Sequence, residues 1–164
     1  MFFISLLKVL HVLAAGWFVA GVVARNGVAV FAARATGFEA MAGLLRAAEF
    51  FERRMVIPGS EAVFVLGLAA AWAAGWPILG FIEGAVQNWL LVSLVLYLAL
   101  IPFIPLLLVP RRRTRTAALD AALAAGRVTP ELAAAVADPA VRNFRLAELA
   151  VIVIIAILMV AKPF

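Results

Sequence analysis

Apolar residues fill the chain in four long runs, and between them charge returns at helical spacing. Phe2 to Ala24 carries only Ser5, Lys8 and His11 as polar side chains. Ala62 to Ile82 is uncharged between Glu61 and Glu83, Gly84 to Pro110 is uncharged as well, and Leu146 to Val160 is broken only by Glu148. A hydrocarbon core about 30 Å thick takes about 20 helical residues. The runs therefore predict spanning helices over about 2–24, 62–82, 89–110 and 146–160. Their length decides for helix over strand, and the alternation that a membrane barrel needs is missing. The fourth run is short, so Arg142 and Arg145 are expected to snorkel toward the interface.

The polar stretches have a pattern of their own. Phe38, Met41, Leu44, Leu45, Ala48, Phe51 and Met55 recur at three- and four-residue spacing opposite Glu39, Arg46, Glu49, Glu52 and Arg53. That spacing predicts an amphipathic helix over Phe38 to Val56, lying on the cytoplasmic surface between spans one and two. Arg46 with Glu49, and Glu49 with Arg53, are helix-neighbour pairs. Farther on, Thr116 to Ala125 reads as a short helix closed by Gly126. Thr129-Pro130-Glu131 opens another, which Asp138-Pro139 ends. These Ala-rich pieces have few large apolar residues and are expected to be weakly held. The fold class is all-α: one integral membrane four-helix bundle over residues 1–164, with polar segments at 25–61 and 111–145.

Composition agrees with lipid as the main solvent. Of 164 residues, 67% are hydrophobic and 14% charged, and the mean hydropathy is +1.14. A domain this small leaves about a third of its chain surface outside, so a soluble globular enzyme is excluded. With no cysteine, disulfides, iron–sulfur clusters and thiolate zinc sites are excluded, and with a single histidine so is an all-histidine metal site. The net charge of +5 belongs to topology rather than to nucleic acid, because the basic residues flank the apolar runs. All 12 arginines lie in the segments after spans one and three, while Lys8 and Lys162 fall near the other face. The positive-inside rule then places both termini in the periplasm and both polar segments in the cytoplasm of a bacterial inner membrane. Lys8 sits inside the first apolar run and no basic region precedes it, so that run is expected to be a span and not a cleaved signal.

Few residues carry candidate chemistry. Ser5, Lys8, Val12, Ala15, Val22 and Asn26 share one broad face of the first helix, with His11 toward its edge and Arg25 beside it. Ionisable residues inside a span are costly and by default face the bundle interior. His11 has two readings: axial ligand to the iron of a haem b with Lys8 tuning the site, or donor of an interhelical hydrogen bond. Glu61 and Glu148 would form a cation entry pair or salt bridges to Arg54 and Arg145, and Glu83 would meet Lys8 or Lys162. Pro102 and Pro105 are expected to bend span three. Gly16, Ala20, Gly67, Ala71 and Gly75 offer small-residue spacing for close helix contact. The Arg111-Arg112-Arg113-Thr114-Arg115 run suits anionic headgroups. No phosphate loop, nucleophile elbow or zinc-protease motif is present, and no catalytic residue is assigned.

Lys8-Val-Leu-His11, followed by a Gly/Ala/Trp patch through Trp17, Ala20 and Gly21, resembles the opening helix of a superfamily of small bacterial membrane proteins. It includes the haem-containing protoporphyrinogen oxidases, the copper-resistance D proteins and the DUF2269 family. The DUF2269 resemblance covers essentially the whole chain. It rests on Glu49-Phe-Phe-Glu52-Arg53-Arg54 with Pro58, on Gly67, on Trp89-Leu90 and on Met159-Val-Ala-Lys162-Pro163. It implies a four-helix membrane bundle and no particular activity. The oxidases carry a lysine where this chain has Ser93, so the resemblance does not extend to protoporphyrinogen oxidation. The expectation that asks for least is an accessory component of a larger membrane complex or homo-oligomer in the lipid bilayer. Haem binding at His11 and Lys8 comes second, and a small metal-ion or metabolite permease third.

Overall fold

The structure, a computed structural model, describes residues 2–163. Seven α-helices follow one another: α1 (Phe2–Arg34), α2 (Phe38–Phe51), α3 (Ile57–Ala73), α4 (Trp89–Leu100), α5 (Val109–Ala125), α6 (Pro130–Val136) and α7 (Pro139–Ala161). A π-helical turn, Glu52–Val56, fuses α2 to α3, and another, Ile104–Leu108, leads from α4 into α5. The result is four rods, Phe2–Arg34, Phe38–Ala73, Trp89–Ala125 and Pro130–Ala161, each long and apolar enough to cross a membrane. Among the described residues there is no strand.

The segment expected as an amphipathic surface helix is helical, but it is not a separate surface element. α2 runs on through the π turn into α3, so it forms the lower half of the second rod and packs along α1. Prolines accompany both wide turns. Pro58 follows the first one directly, and there the Ile57 amide reaches back five residues to the Glu52 carbonyl. In the third rod, Pro102 and Pro105 cannot donate to the carbonyls of Leu98 and Ile101. Those carbonyls accept instead from Ile101, at 3.2 Å, and Ile104, at 3.1 Å. The regular α-helical hydrogen bonding is interrupted at these prolines.

α3 stops at Ala73, short of the Ile82 to which the apolar run extends. Gly75 takes a φ of 67°, which only glycine adopts without strain, and Pro77 prevents resumption. A 3-10 turn at Gly80–Glu83 follows, held by the Asn88 side-chain oxygen accepting from the Phe81 amide at 2.8 Å. Gly126 closes α5 in the left-handed conformation, Thr129 caps α6 and Asp138 caps α7 through the Ala140 amide at 2.8 Å.

The rods associate as two pairs: α1 with the α2–α3 rod, and α4 with α7. The best-buried apolar cluster lies away from the predicted spans. Ala32, Met41 and Leu45 meet Ala118, Ala122 and a fully buried Leu132. The Ala-rich segments are thus packed rather than loose, because small side chains let α5 and α6 close onto α1 and α2. Along the rods, residues such as Leu13, Val153 and Ile157 stay exposed, which suits a surface solvated by lipid.

Candidate functional site

The first helix meets its neighbours along His11, Phe18, Val22, Arg25 and Ala32, a stripe of three-, four- and seven-residue steps. Val12, assigned to the inward face from sequence, lies 66% exposed. Arg25 is the most buried charge, 2% exposed. Its guanidinium donates to Glu52 on the first π turn at 2.8 Å and to Glu148 on α7, and its Nε–H reaches the Asn26 side-chain oxygen at 3.3 Å. Glu148 therefore pairs with Arg25 and not with Arg145, and among the described residues Glu61 forms no ion pair with Arg54. Glu52, expected on the polar side, lies one four-residue step beyond Ala48 on the buried stripe of Met41, Leu45 and Ala48, and so turns inward. Gly21 makes the approach feasible: a Cβ there would lie 2.5 Å from that of Met55.

His11 and Lys8 diverge. The His11 Nδ1 lies 3.0 Å from the Val63 carbonyl on α3, and only a protonated Nδ1 can donate to that acceptor. The ring rests on Gly67, where a Cβ would come within 2.9 Å of Cε1. Of the glycines and alanines expected to mediate contact, Gly67 and buried Ala71 do so, whereas nothing lies near Gly16. The Lys8 ammonium sits 4.8 Å above the Trp76 ring, and Lys162 covers the same ring at 4.5 Å and Trp89 at 5.4 Å. Trp76 and Trp89 meet edge-on at 5.4 Å. Glu83, expected beside a lysine, instead accepts from the Leu79 amide at 3.4 Å. Ser93 is buried and donates to the Trp89 carbonyl at 2.7 Å, a bond within its own helix.

At the arginine-rich end, Glu49 gathers three cations: Arg53 at 2.6 Å, Arg112, and Arg115 at 3.7 Å. The expected Arg46 pair gives way to this arrangement, since Arg112 arrives from α5. Burial alone would raise the Glu49 carboxyl, but the Arg53 hydrogen bond and the charges of Arg112 and Arg53 hold it below the ordinary carboxylate value. Arg111 binds Asp138 at 2.9 Å. Burial, then the charges of neighbouring arginines, pulls the Arg115 guanidinium down and Arg145 down to about 10.

Between α3 and α4 lies an apolar groove of about 670 Å³, walled by Phe64, Leu68, Trp72, Leu94 and Leu98, with Glu83 at one edge. Below it, Phe64 stacks on Tyr97 at 5.0 Å, and the Tyr97 hydroxyl donates to the Ser60 carbonyl at 3.2 Å. Trp72 stands 78% exposed in the groove. Among the described residues no group of three or more His, Cys, Asp or Glu side chains could hold a metal ion.

Four rods, each long and apolar enough to cross a membrane, define a helical integral membrane protein. Within that class, the family model for the predicted integral membrane protein DUF2269 matches residues 5–163, and the chain belongs to that family. No curated protein and no solved structure matches the chain.

Proposed function

We propose that this protein is a non-catalytic component of a larger assembly in a bacterial inner membrane, with both termini on the outer side. The orientation rests on the 12 arginines, all of which fall in the two polar segments. The assembly role rests on the groove between α3 and α4. The polar side chains of the bundle serve one another: Arg25 its two glutamates, His11 the Val63 carbonyl, Ser93 its own helix. The groove is left open on its side, with apolar walls and an exposed Trp72, a residue type that anchors interfaces. In lipid, helices associate through packing and not through the hydrophobic effect. A partner's transmembrane helix, about 10 Å across, is the occupant such a groove favours.

The test is a photo-crosslinking side chain at Leu68 or Trp72 in native membranes, with Val153 on the exposed face of α7 as control. A discrete protein adduct from the groove positions and none from Val153 is expected. Identical adducts from both faces, or none from the groove, refute the reading.

A second reading draws on one observation. With its proton on Nδ1, His11 keeps an unprotonated Nε2, the form that binds haem iron. His11 would be the axial ligand of a haem b, with Lys8 one turn away beside Trp76. A Soret band lost in His11→Ala supports it, and a colourless protein purified with haem supplied ends it.

A further inference from the structure

A cavity of about 40 Å³ lies where α1, the first π turn, α5, α6 and α7 converge. Five guanidiniums line it, from Arg25, Arg111, Arg112, Arg115 and Arg145, against one lining carboxylate, Glu52. Leu108 and Phe144 give it an apolar wall. The carboxylates within 4 Å of these arginines are Glu49, Glu52, Asp138 and Glu148, which leaves one cation in excess. That cation is Arg145, with no carboxylate so close among the described residues. Arg115 is nearly as poorly served, its nearest oxygen 3.7 Å away on a Glu49 already shared by Arg53 and Arg112. Packing an unpaired guanidinium beside four others is unfavourable unless an anion joins them.

We infer that this cavity is an anion site for one phosphate group, gripped by the guanidinium forks of Arg115 and Arg145. Planar forks match phosphate oxygens in pairs, which an ammonium cannot do. The cavity has room for about three water-sized atoms, enough for the oxygens that a phosphate ester presents. Burial, and after it the charges of Arg25 and Arg115, bring the Arg145 guanidinium down to about 10. The phosphate belongs either to a lipid headgroup or to a soluble phosphate compound. The site is independent of the groove between α3 and α4 and stands whether or not a partner binds there.

Thermal unfolding and native mass spectrometry of the full chain, stripped of lipid in neutral detergent, test the site. The probes are phosphatidylglycerol, phosphatidylcholine and inorganic phosphate, each at matched ionic strength. A saturable rise in Tm with phosphatidylglycerol, one lipid retained per chain, assigns the headgroup. A rise with inorganic phosphate alone assigns a soluble compound. Either effect should vanish in Arg145→Gln and persist in Arg113→Gln, which removes an exposed charge from α5 that does not line the cavity. Arg145→Lys keeps the charge but loses the fork, and should weaken binding by about tenfold or more. Arg145→Gln removes an unpaired charge and should unfold no earlier than wild type without phosphate; Arg115→Gln reads the site through its other fork. No rise with either phosphate probe, an equal rise with phosphatidylcholine, or equal loss in Arg113→Gln overturns the inference.

Discussion

Replacing Arg25 by leucine should be among the most damaging single changes in this protein. The Arg25 side chain is 3% exposed, Glu148 11% and Glu52 22%. Deleting the cation leaves two acids facing each other with little water to screen them. Breaking a buried pair by removing one partner costs about 3–5 kcal/mol. For a chain of this length each kcal/mol moves Tm by about 2–4 °C, so Arg25→Leu should lower it by about 6–20 °C. Glu148→Gln should cost less, because Arg25 keeps Glu52 at 2.8 Å. Glu52→Gln should cost least, since water reaches that carboxylate best. Replacing all three, Arg25→Leu with Glu52→Gln and Glu148→Gln, should regain part of the loss, because the two acids then no longer face each other without their cation. Tryptophan fluorescence during a thermal ramp, on monodisperse protein in one detergent, reads the series. An Arg25→Leu protein within about 2 °C of wild type, or a triple variant no better than Arg25→Leu, would refute the reasoning.

Gly67→Ala pushes a methyl against the His11 ring and should cost about 1–3 kcal/mol; adding His11→Ala should recover part of it, and strict additivity would deny the contact. His11→Ala alone should cost about 0.6–2 kcal/mol, the range for hydrogen bonds between membrane helices. Trp76→Leu removes the ring beneath Lys8 and Lys162 and should cost about 1–2 kcal/mol, measured by the same thermal ramp. The Glu49 carboxyl lies below its ordinary value of 4.5 in the fold, so its contribution is fully present above 4.5. That contribution should fade as pH falls through the lowered folded value, and Glu49→Gln should flatten this part of the stability–pH curve; an unchanged curve would show that the three arginines do not hold it.

The four rods were legible because apolar length is a strong signal, and so were the caps at Thr129 and Asp138 and the disturbance at Pro102 and Pro105. The partners of the charges were not. Glu52 reads as solvent-facing by its charge alone, although helical spacing carries the apolar stripe of Met41, Leu45 and Ala48 straight to it. Glu148 was assigned to Arg145, three residues away, whereas it pairs with Arg25, 123 positions distant. Sequence spacing orders neighbours on one helix and says nothing about which rod lies alongside. Arg25 was noticed as standing beside the inward face. Its central place needed the contact stripe from His11 to Ala32, which an apolar helix in lipid conceals because every face is apolar. The Ala-rich segments misled for a related reason: small side chains read as weak packing, yet Ala118 and Ala122 are what let α5 close over Met41 and Leu45.

This arrangement explains how so apolar a chain reaches one packing. Between apolar rods in lipid, the wrong neighbour offers nearly the same dispersion contacts as the right one. Midway along, the two helix pairs meet where Phe64 stacks on Tyr97 and the Tyr97 hydroxyl donates to the Ser60 carbonyl. Specificity has to come from the charged contacts. At one end, Arg25 joins the first rod, the π turn of the second and the fourth, while Glu49 binds the second rod to Arg112 of the third. At the other end, Lys8 and Lys162 bring the first and last rods to one tryptophan in the loop between the second and third. A misplaced rod would strand a buried charge at one end and an ammonium without its ring at the other. Ionic residues packed between rods are costly individually, and the cost is what separates the native arrangement from its apolar competitors.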